Sequence, residues 1–166
     1  GAECVRLFVT VESVEKVKQL AFHLDPDVFS LDIDGNDFYI AQELLLQGFR
    51  PKIFVVEYNA VFGPTRSVTI EYKEDFVYSV AHPSQLYYGV SIAGWRTFFG
   101  GHGYRFVTVD RNGVNAFFVD PSCFDTLFLD EIQGLEFAEN RYQFLKFRRP
   151  SNEQFELIGD RKFVPI

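Results

Sequence analysis

The run Ile53-Phe54-Val55-Val56-Glu57-Tyr58 constrains this chain more than any other stretch. Its opening four residues are all apolar, so it has no polar face to show to water. A strand of that kind is satisfied only when both of its sides are covered. The surrounding sequence supplies the cover. Cys4 to Thr10 (CVRLFVT) is short, apolar and β-branched, and reads as a strand. Glu12 to Leu24 sets Val14, Val17, Leu20, Ala21 and Leu24 at helical spacings. Asp25-Pro26-Asp27 breaks that helix, and Val28 to Ile33 is the next strand. A second helix begins at Asn36 or Asp37 and runs to about Gln47, with Ile40, Leu44 and Leu45 inward and Gly48 as its stop. The order β-α-β-α-β with short connections predicts parallel strands in a sheet flanked by helices.

The second half departs from that alternation. Asn59 to Pro83 is a long, turn-rich insertion with one alternating piece, Ser67 to Tyr72. Connections of this length usually form lids or binding loops. Ser91 reads as the N-cap of a helix running to about Gly101. Tyr104 to Val109 and Val114 to Val119 are strands joined by Asp110-Arg111-Asn112-Gly113, and Asn-Gly between apolar alternations signals a hairpin. The expected fold class is therefore α/β, with a Rossmann-like, mostly parallel mixed sheet closed by an antiparallel hairpin. Its strands are expected at 5–9, 28–33, 53–58, 104–109 and 114–119, only the last running against its neighbours. From Pro121 a tail follows, with a helix expected from Leu135 to Phe147. Without repeats or low-complexity segments, residues 1–166 read as a single α/β domain on which the 121–166 tail packs.

Composition narrows the classes of function. With 47% hydrophobic and 23% charged residues the chain reads as globular. No apolar run approaches the roughly 18 residues of a membrane helix. The N-terminus lacks a signal-peptide pattern, and Cys4 and Cys123 suggest neither a disulfide framework nor a metal knuckle. A cytoplasmic location, with no membrane partner, is the resulting expectation. A net charge of −7 and a pI near 4.9 argue against a nucleic-acid surface. Lys146, Arg148 and Arg149 read as a solvated helix end. The absence of methionine suggests an excised or processed chain, with Gly1-Ala2 as a leftover, and 20 phenylalanines predict an aromatic core.

Against this background the stretch FSLDIDGNDFYI, Phe29 to Ile40, is unusual for its density of oxygen ligands. Asp32, Asp34, Asn36 and Glu43 match positions 1, 3, 5 and 12 of a calcium loop, but the glycine falls at position 4 instead of 6 and a strand precedes it. Turn and cap chemistry accounts for Gly35, Asn36 and Asp37. It does not account for Asp32 and Asp34, which alternate onto one side of the strand at its C-terminal end. Ligands in open α/β sheets bind beyond such ends. Glu57, followed by Tyr58 and Asn59, ends the next strand at the same edge. Asp32, Asp34 and Glu57 are thus a candidate oxygen-ligand set for Mg2+ or Ca2+ in preference to zinc. His82 is a candidate general base. In Tyr87-Tyr88-Gly89 the rings either stack on a substrate or pack, and Trp95 reads as core. His23 and His102 read as partners of helix ends.

SLDIDGNDFYI, RPKIFVVEYNAVFGP, YYGVS and the late NAFFV together resemble a branch of the FkbM-like class I S-adenosylmethionine-dependent methyltransferases, over roughly Val9 to Val119. The resemblance implies a seven-stranded Rossmann-like sheet whose reversed last strand lies between strands five and six. It also implies that Asp32, Asp34, Asn36, Glu57 and Asn59 line the active-site edge. The glycine-rich cofactor loop of that family is missing. Gly100-Gly101-His102-Gly103 follows a helix and precedes a strand, the reverse of a nucleotide loop. The chain is accordingly expected to be the C-terminal, acceptor-side portion of such an enzyme, binding S-adenosylmethionine weakly by itself.

In that reading Asp34, Asp32 and His82 are the catalytic candidates. Glu57, Asn59 and Tyr88 face the acceptor, a small molecule or saccharide methylated on oxygen or nitrogen, and Asn36 lies on the cofactor side. Two alternatives stay open. One is a non-catalytic interaction module whose unpaired edge strand forms a homodimer. The other is a divalent-metal-binding protein.

Overall fold

The computed structural model describes residues 3–166; Gly1 and Ala2 lie outside the described residues. Four strands form the principal sheet: β1 (Val28–Leu31), β2 (Ile53–Glu57), β4 (Arg105–Val109) and β5 (Asn115–Val119). Their spatial order is β1-β2-β5-β4. β1 and β2 are parallel, whereas β5 runs against both β2 and β4. The protein is thus α/β with a mixed sheet. Three strands share one direction and the hairpin's second strand is inserted, reversed, between two of them. Because that strand makes two of the three pairings, the sheet is less parallel than the sequence suggests.

Helix α1 (Val14–Leu20) precedes β1, and α2 (Asp37–Leu46) joins β1 to β2. The helix α4 (Ile92–Gly101) leads into β4 and is capped by Ser91, whose Oγ accepts from the Gly94 N–H at 3.0 Å. α2 brings Ile40, Ala41, Leu44 and Leu45 to the core, and α4 brings Ile92, Trp95, Phe98 and Phe99. They close over the buried Phe54, Val56 and Phe118. The phenylalanine content is spent here, with the Phe99 ring 4.5 Å from Phe118 and 4.9 Å from Phe54. Ile53 and Val55, on the opposite side of β2, are only half-buried. The pattern of cover on both faces is real but unequal.

Three expectations change. Residues 5–9 form no strand. Val5 and Phe8 are 54% and 65% exposed, and no backbone group from 4 to 9 joins a ladder among the described residues. A short apolar segment becomes a strand only where a neighbour accepts its hydrogen bonds. The helix expected from Leu135 is confined to α6 (Arg141–Phe147), which starts where Asn140 Oδ1 caps the Gln143 N–H at 3.0 Å. The residues before it are irregular: Thr108 Oγ1 accepts from the Leu135 N–H, and the Tyr58 hydroxyl donates to the Ala138 carbonyl at 2.7 Å.

The tail also does more than pack on the domain. Its first helix is α5 (Thr126–Glu131), and after α6 come α7 (Ser151–Glu156) and β6 (Phe163–Pro165). β6 pairs antiparallel with β3 (Val68–Ile70) of the insertion, making a second two-stranded sheet. Around it lies a separate apolar cluster of Val61, Phe62, Ile70, Leu86 and Ile158. The short α3 (Tyr78–Ala81) completes the insertion. This second unit fixes the insertion against the end of the main sheet. No helix among the described residues is long and apolar enough to cross a membrane.

Candidate functional site

The register of the one parallel pair builds the site. Leu31 lies opposite Val56, so the next residues in each strand direction are Asp32 and Glu57. One turn later Asp34 joins them. Each of the three carboxylates can place an oxygen within 4.8 Å of the other two. Asp32 and Asp34 are exposed, while Glu57 is 9% exposed. Among the described residues no lysine, arginine or histidine forms an ion pair with any of them.

The loop between the acidic residues is shaped by Asp37, which is fully buried at the start of α2. Its carboxylate accepts from the Gly35 N–H at 2.9 Å and from the Ile33 N–H at 3.1 Å. Both oxygens are therefore committed to backbone, and Asp37 positions the loop. The turn puts Asp34, not Gly35, in the left-handed region (φ 57°), a conformation that aspartate tolerates better than most residues. Gly35 answers a different need, because a Cβ there would run into the Phe76 ring.

Burial and like charge set the electrostatics. Glu57 is pushed up to about 9, first by burial and then by the charges of Asp32, Asp37 and Asp34. Asp37 rises to about 6 because burial outweighs its backbone hydrogen bonds. Asp32 is raised by desolvation and by Asp34. The Glu57 Oε2 atom is buried without a hydrogen-bond partner. Glu57 is held instead through its backbone: the Trp95 indole N–H donates to its carbonyl at 2.7 Å.

A cavity of about 270 Å³ opens beside Asp34 and Glu57, lined also by Tyr78, Gln85, Tyr88 and Gln143. Tyr88 is buried, and its hydroxyl accepts from Gln143 Nε2 at 3.0 Å. Burial, then Glu57 and Asp34, hold that phenol well above its usual range, so it stays protonated. Lys146 reaches the cavity rim, donating to Gln85 Oε1 at 3.2 Å.

Asp32, Asp34, Glu57 and Tyr88 are thus brought together. Asn59 is adjacent, but its amide is fully engaged. Nδ2 donates to the Leu86 and Tyr88 carbonyls at 2.8 and 3.0 Å, and Oδ1 accepts from the Val61 N–H at 3.1 Å. It positions Tyr88 and does not itself face a ligand. Asn36 is similarly occupied with the Lys73 backbone, donating to its carbonyl at 2.8 Å. His82 does not line the cavity itself but pairs through Nδ1 with Ser84 Oγ at 2.8 Å, and Ser84 does line it; the His82 Nε2 is 3.9 Å from Asp160.

Gln143 and Lys146, which arrive from the tail, are not among the residues that the sequence singles out for the site. The available signal was the Asn140 cap, which fixes where their helix begins. Comparison with family models, with curated proteins and with solved structures returns no match. What the fold and site define is an α/β protein with an acidic, partly buried carboxylate cluster at the C-terminal edge of parallel strands.

Proposed function

We propose that the chain is the acceptor-side portion of an S-adenosylmethionine-dependent methyltransferase, acting on a hydroxyl or amine of a small molecule or saccharide. One observation carries the reading. The reversed β5 lies between β2 and β4, while the acids gather at the shared C-terminal edge of β1 and β2. The resemblance carried by SLDIDGNDFYI and RPKIFVVEYNAVFGP implies that same strand order and that same edge.

The described residues do not themselves fit the cofactor. Gly100 to Gly103 closes α4, with Gly103 in the left-handed region and donating to the Gly100 carbonyl, and the chain then enters β4. No phosphate- or nucleoside-binding turn is built there. What these residues offer is the acceptor side. Methyl transfer needs an in-line nucleophile, so most of the rate comes from holding the acceptor. The cavity provides an aromatic wall at Tyr88, amides at Gln85 and Gln143, and the exposed Asp34 to receive the acceptor proton.

The test is transfer of labelled methyl from S-adenosylmethionine by the polypeptide as encoded, offered saccharides and small hydroxy or amino compounds. Transfer that falls at least 100-fold in Asp34→Asn supports the reading. Transfer unchanged by that substitution, or no transfer to any acceptor, overturns it.

A second reading, an interaction module, draws on the outer edge of β1. That edge has no strand partner among the described residues, and beside it lies an apolar groove of about 550 Å³ lined by Leu7, Val9, Val28 and Phe29. Such edges template pairing with a second copy. Light scattering that shows a monomer at high micromolar concentration removes it.

A further inference from the structure

We infer that Asp32, Asp34 and Glu57 form a binding site for a hard divalent cation of the Mg2+, Ca2+ or Mn2+ type. The three carboxylates converge within 4.8 Å, and all their donors are oxygen. Convergent acids alone would be a poor argument, because exposed acidic groups often sit together in water. The second observation is Glu57. The residue is only 9% exposed, its Oε2 is buried without a hydrogen-bond partner, and one of its carboxylate oxygens lies within 4.8 Å of an oxygen of each aspartate. A buried carboxylate oxygen in native proteins is almost always hydrogen-bonded, paired or bound to a metal. Here the first two are missing among the described residues.

The surroundings are arranged as they are around metal sites. Among the described residues the Asp32 and Asp34 carboxylates and Glu57 Oε2 take no hydrogen bond, while the neighbouring polar groups hold the backbone that carries them. Asp37 ties down the loop between Asp32 and Asp34 through the Ile33 and Gly35 N–H groups. Trp95 anchors the Glu57 carbonyl. Asn59 pins the following turn to Leu86 and Tyr88. None of these three side chains competes for the cation.

Ligand type selects the metal. Three carboxylates without histidine or cysteine favour hard cations that complete their shell with water, and disfavour zinc. The adjoining cavity gives such waters, or an acceptor's hydroxyl oxygens, access from the Asp34 side. Cation binding by these residues does not depend on the methyl-transfer reading.

The experiment uses the chain freed of metal by chelation and dialysis, titrated separately with MgCl2, CaCl2, MnCl2 and ZnCl2. Thermal melts and calorimetry report stabilisation and affinity. Trp95 fluorescence reports the Glu57 backbone directly, since it is the only tryptophan. Saturable binding of at least one hard cation is expected, near one per chain, with a raised melting temperature. Glu57→Gln and, separately, Asp34→Asn should each weaken it at least ten-fold. Asp75→Asn, an exposed acid paired with Lys73, should leave it unchanged. The aspartate variant guards against a folding defect in the buried one. No saturable response to Mg2+, Ca2+ or Mn2+ at 10 mM (~100-fold above a 0.1 mM dissociation constant), a response to zinc alone, or equal affinity in both variants overturns the inference.

Discussion

Trp95→Phe is the most direct test of how the core holds the site. Trp95 is fully buried and stacks on Phe99 at 5.3 Å between ring centroids, while its Nε1–H reaches the Glu57 carbonyl at 2.7 Å. Phenylalanine keeps the aromatic packing but deletes the donor. Removing one partner of a buried hydrogen bond costs about 1–3 kcal/mol. The smaller ring also leaves a void of about 40 Å³, worth about 1 kcal/mol at ~24 cal/mol per Å³. The sum, about 2–4 kcal/mol, corresponds to a melting temperature lower by roughly 4–16 °C for a chain of this size. Far-UV circular dichroism is the assay, because the variant has no tryptophan left to follow. Since the lost bond held Glu57, the variant's cation affinity should also fall. A melting temperature within ~1 °C of wild type, where a change of ~1 kcal/mol already moves it by 2–4 °C, would show that the indole donor does not anchor the strand end.

Asp32→Asn and Asp34→Asn should each change stability by less than about 0.5 kcal/mol in urea melts, since both side chains are exposed and each exchange removes a like charge. Asn36→Ala should cost about 1–3 kcal/mol by releasing the Lys73 backbone, and limited proteolysis should then cut the 71–77 segment faster. For Asp37 the folded-state pKa, about 6, lies above the ordinary aspartate value of 3.8. Its bound proton therefore stabilises the fold fully below 3.8, and that contribution is lost as pH rises through 6. Asp37→Asn does not titrate, so the wild type's advantage over it should shrink by about 2.4 kcal/mol between pH 4 and pH 7; a pH-independent difference would contradict the burial argument.

The elements that were legible in the sequence are those whose cause is local. The Val28, Ile53 and Tyr104 runs, the stripes of α2 and α4, and the Asn112-Gly113 hairpin all follow from period and turn chemistry. What failed depended on distant partners. Residues 5–9 have strand composition but no neighbour to bond, and 135–139 are kept irregular by Thr108 and Tyr58, far away in the chain. The β3–β6 sheet joins residues from the insertion to the last few of the tail, which no window of sequence contains. The site divides in the same way. Asp32, Asp34 and Glu57 could be placed because parallel strands align their C-terminal ends. The uses of Asp37, Asn59 and Asn36 could not, because an acid or amide bound to backbone looks the same in sequence as one that awaits a ligand.

That distinction bears on why Glu57 is there at all. The fold has no structural use for its carboxylate: Oε2 is unpartnered, and Asp32, Asp34 and Asp37 all oppose its charge. Everything that fixes the residue acts on its backbone, through the ladder to Asn115 and the Trp95 donor. A group retained at a cost to stability is one that function requires. At pH 7 Glu57 must take up a proton on folding, because burial holds its carboxyl up at about 9; Glu57→Gln keeps the shape, needs no proton and should raise the stability of the cation-free protein by on the order of 1 kcal/mol. The same variant should lose the stabilisation that cations give the wild type, so the two proteins change rank when Mg2+, Ca2+ or Mn2+ is added. Chemical denaturation with and without the cation reads both effects in one experiment. A glutamine variant less stable than wild type in the absence of metal would mean that the carboxylate is structural, and would remove the argument from its burial.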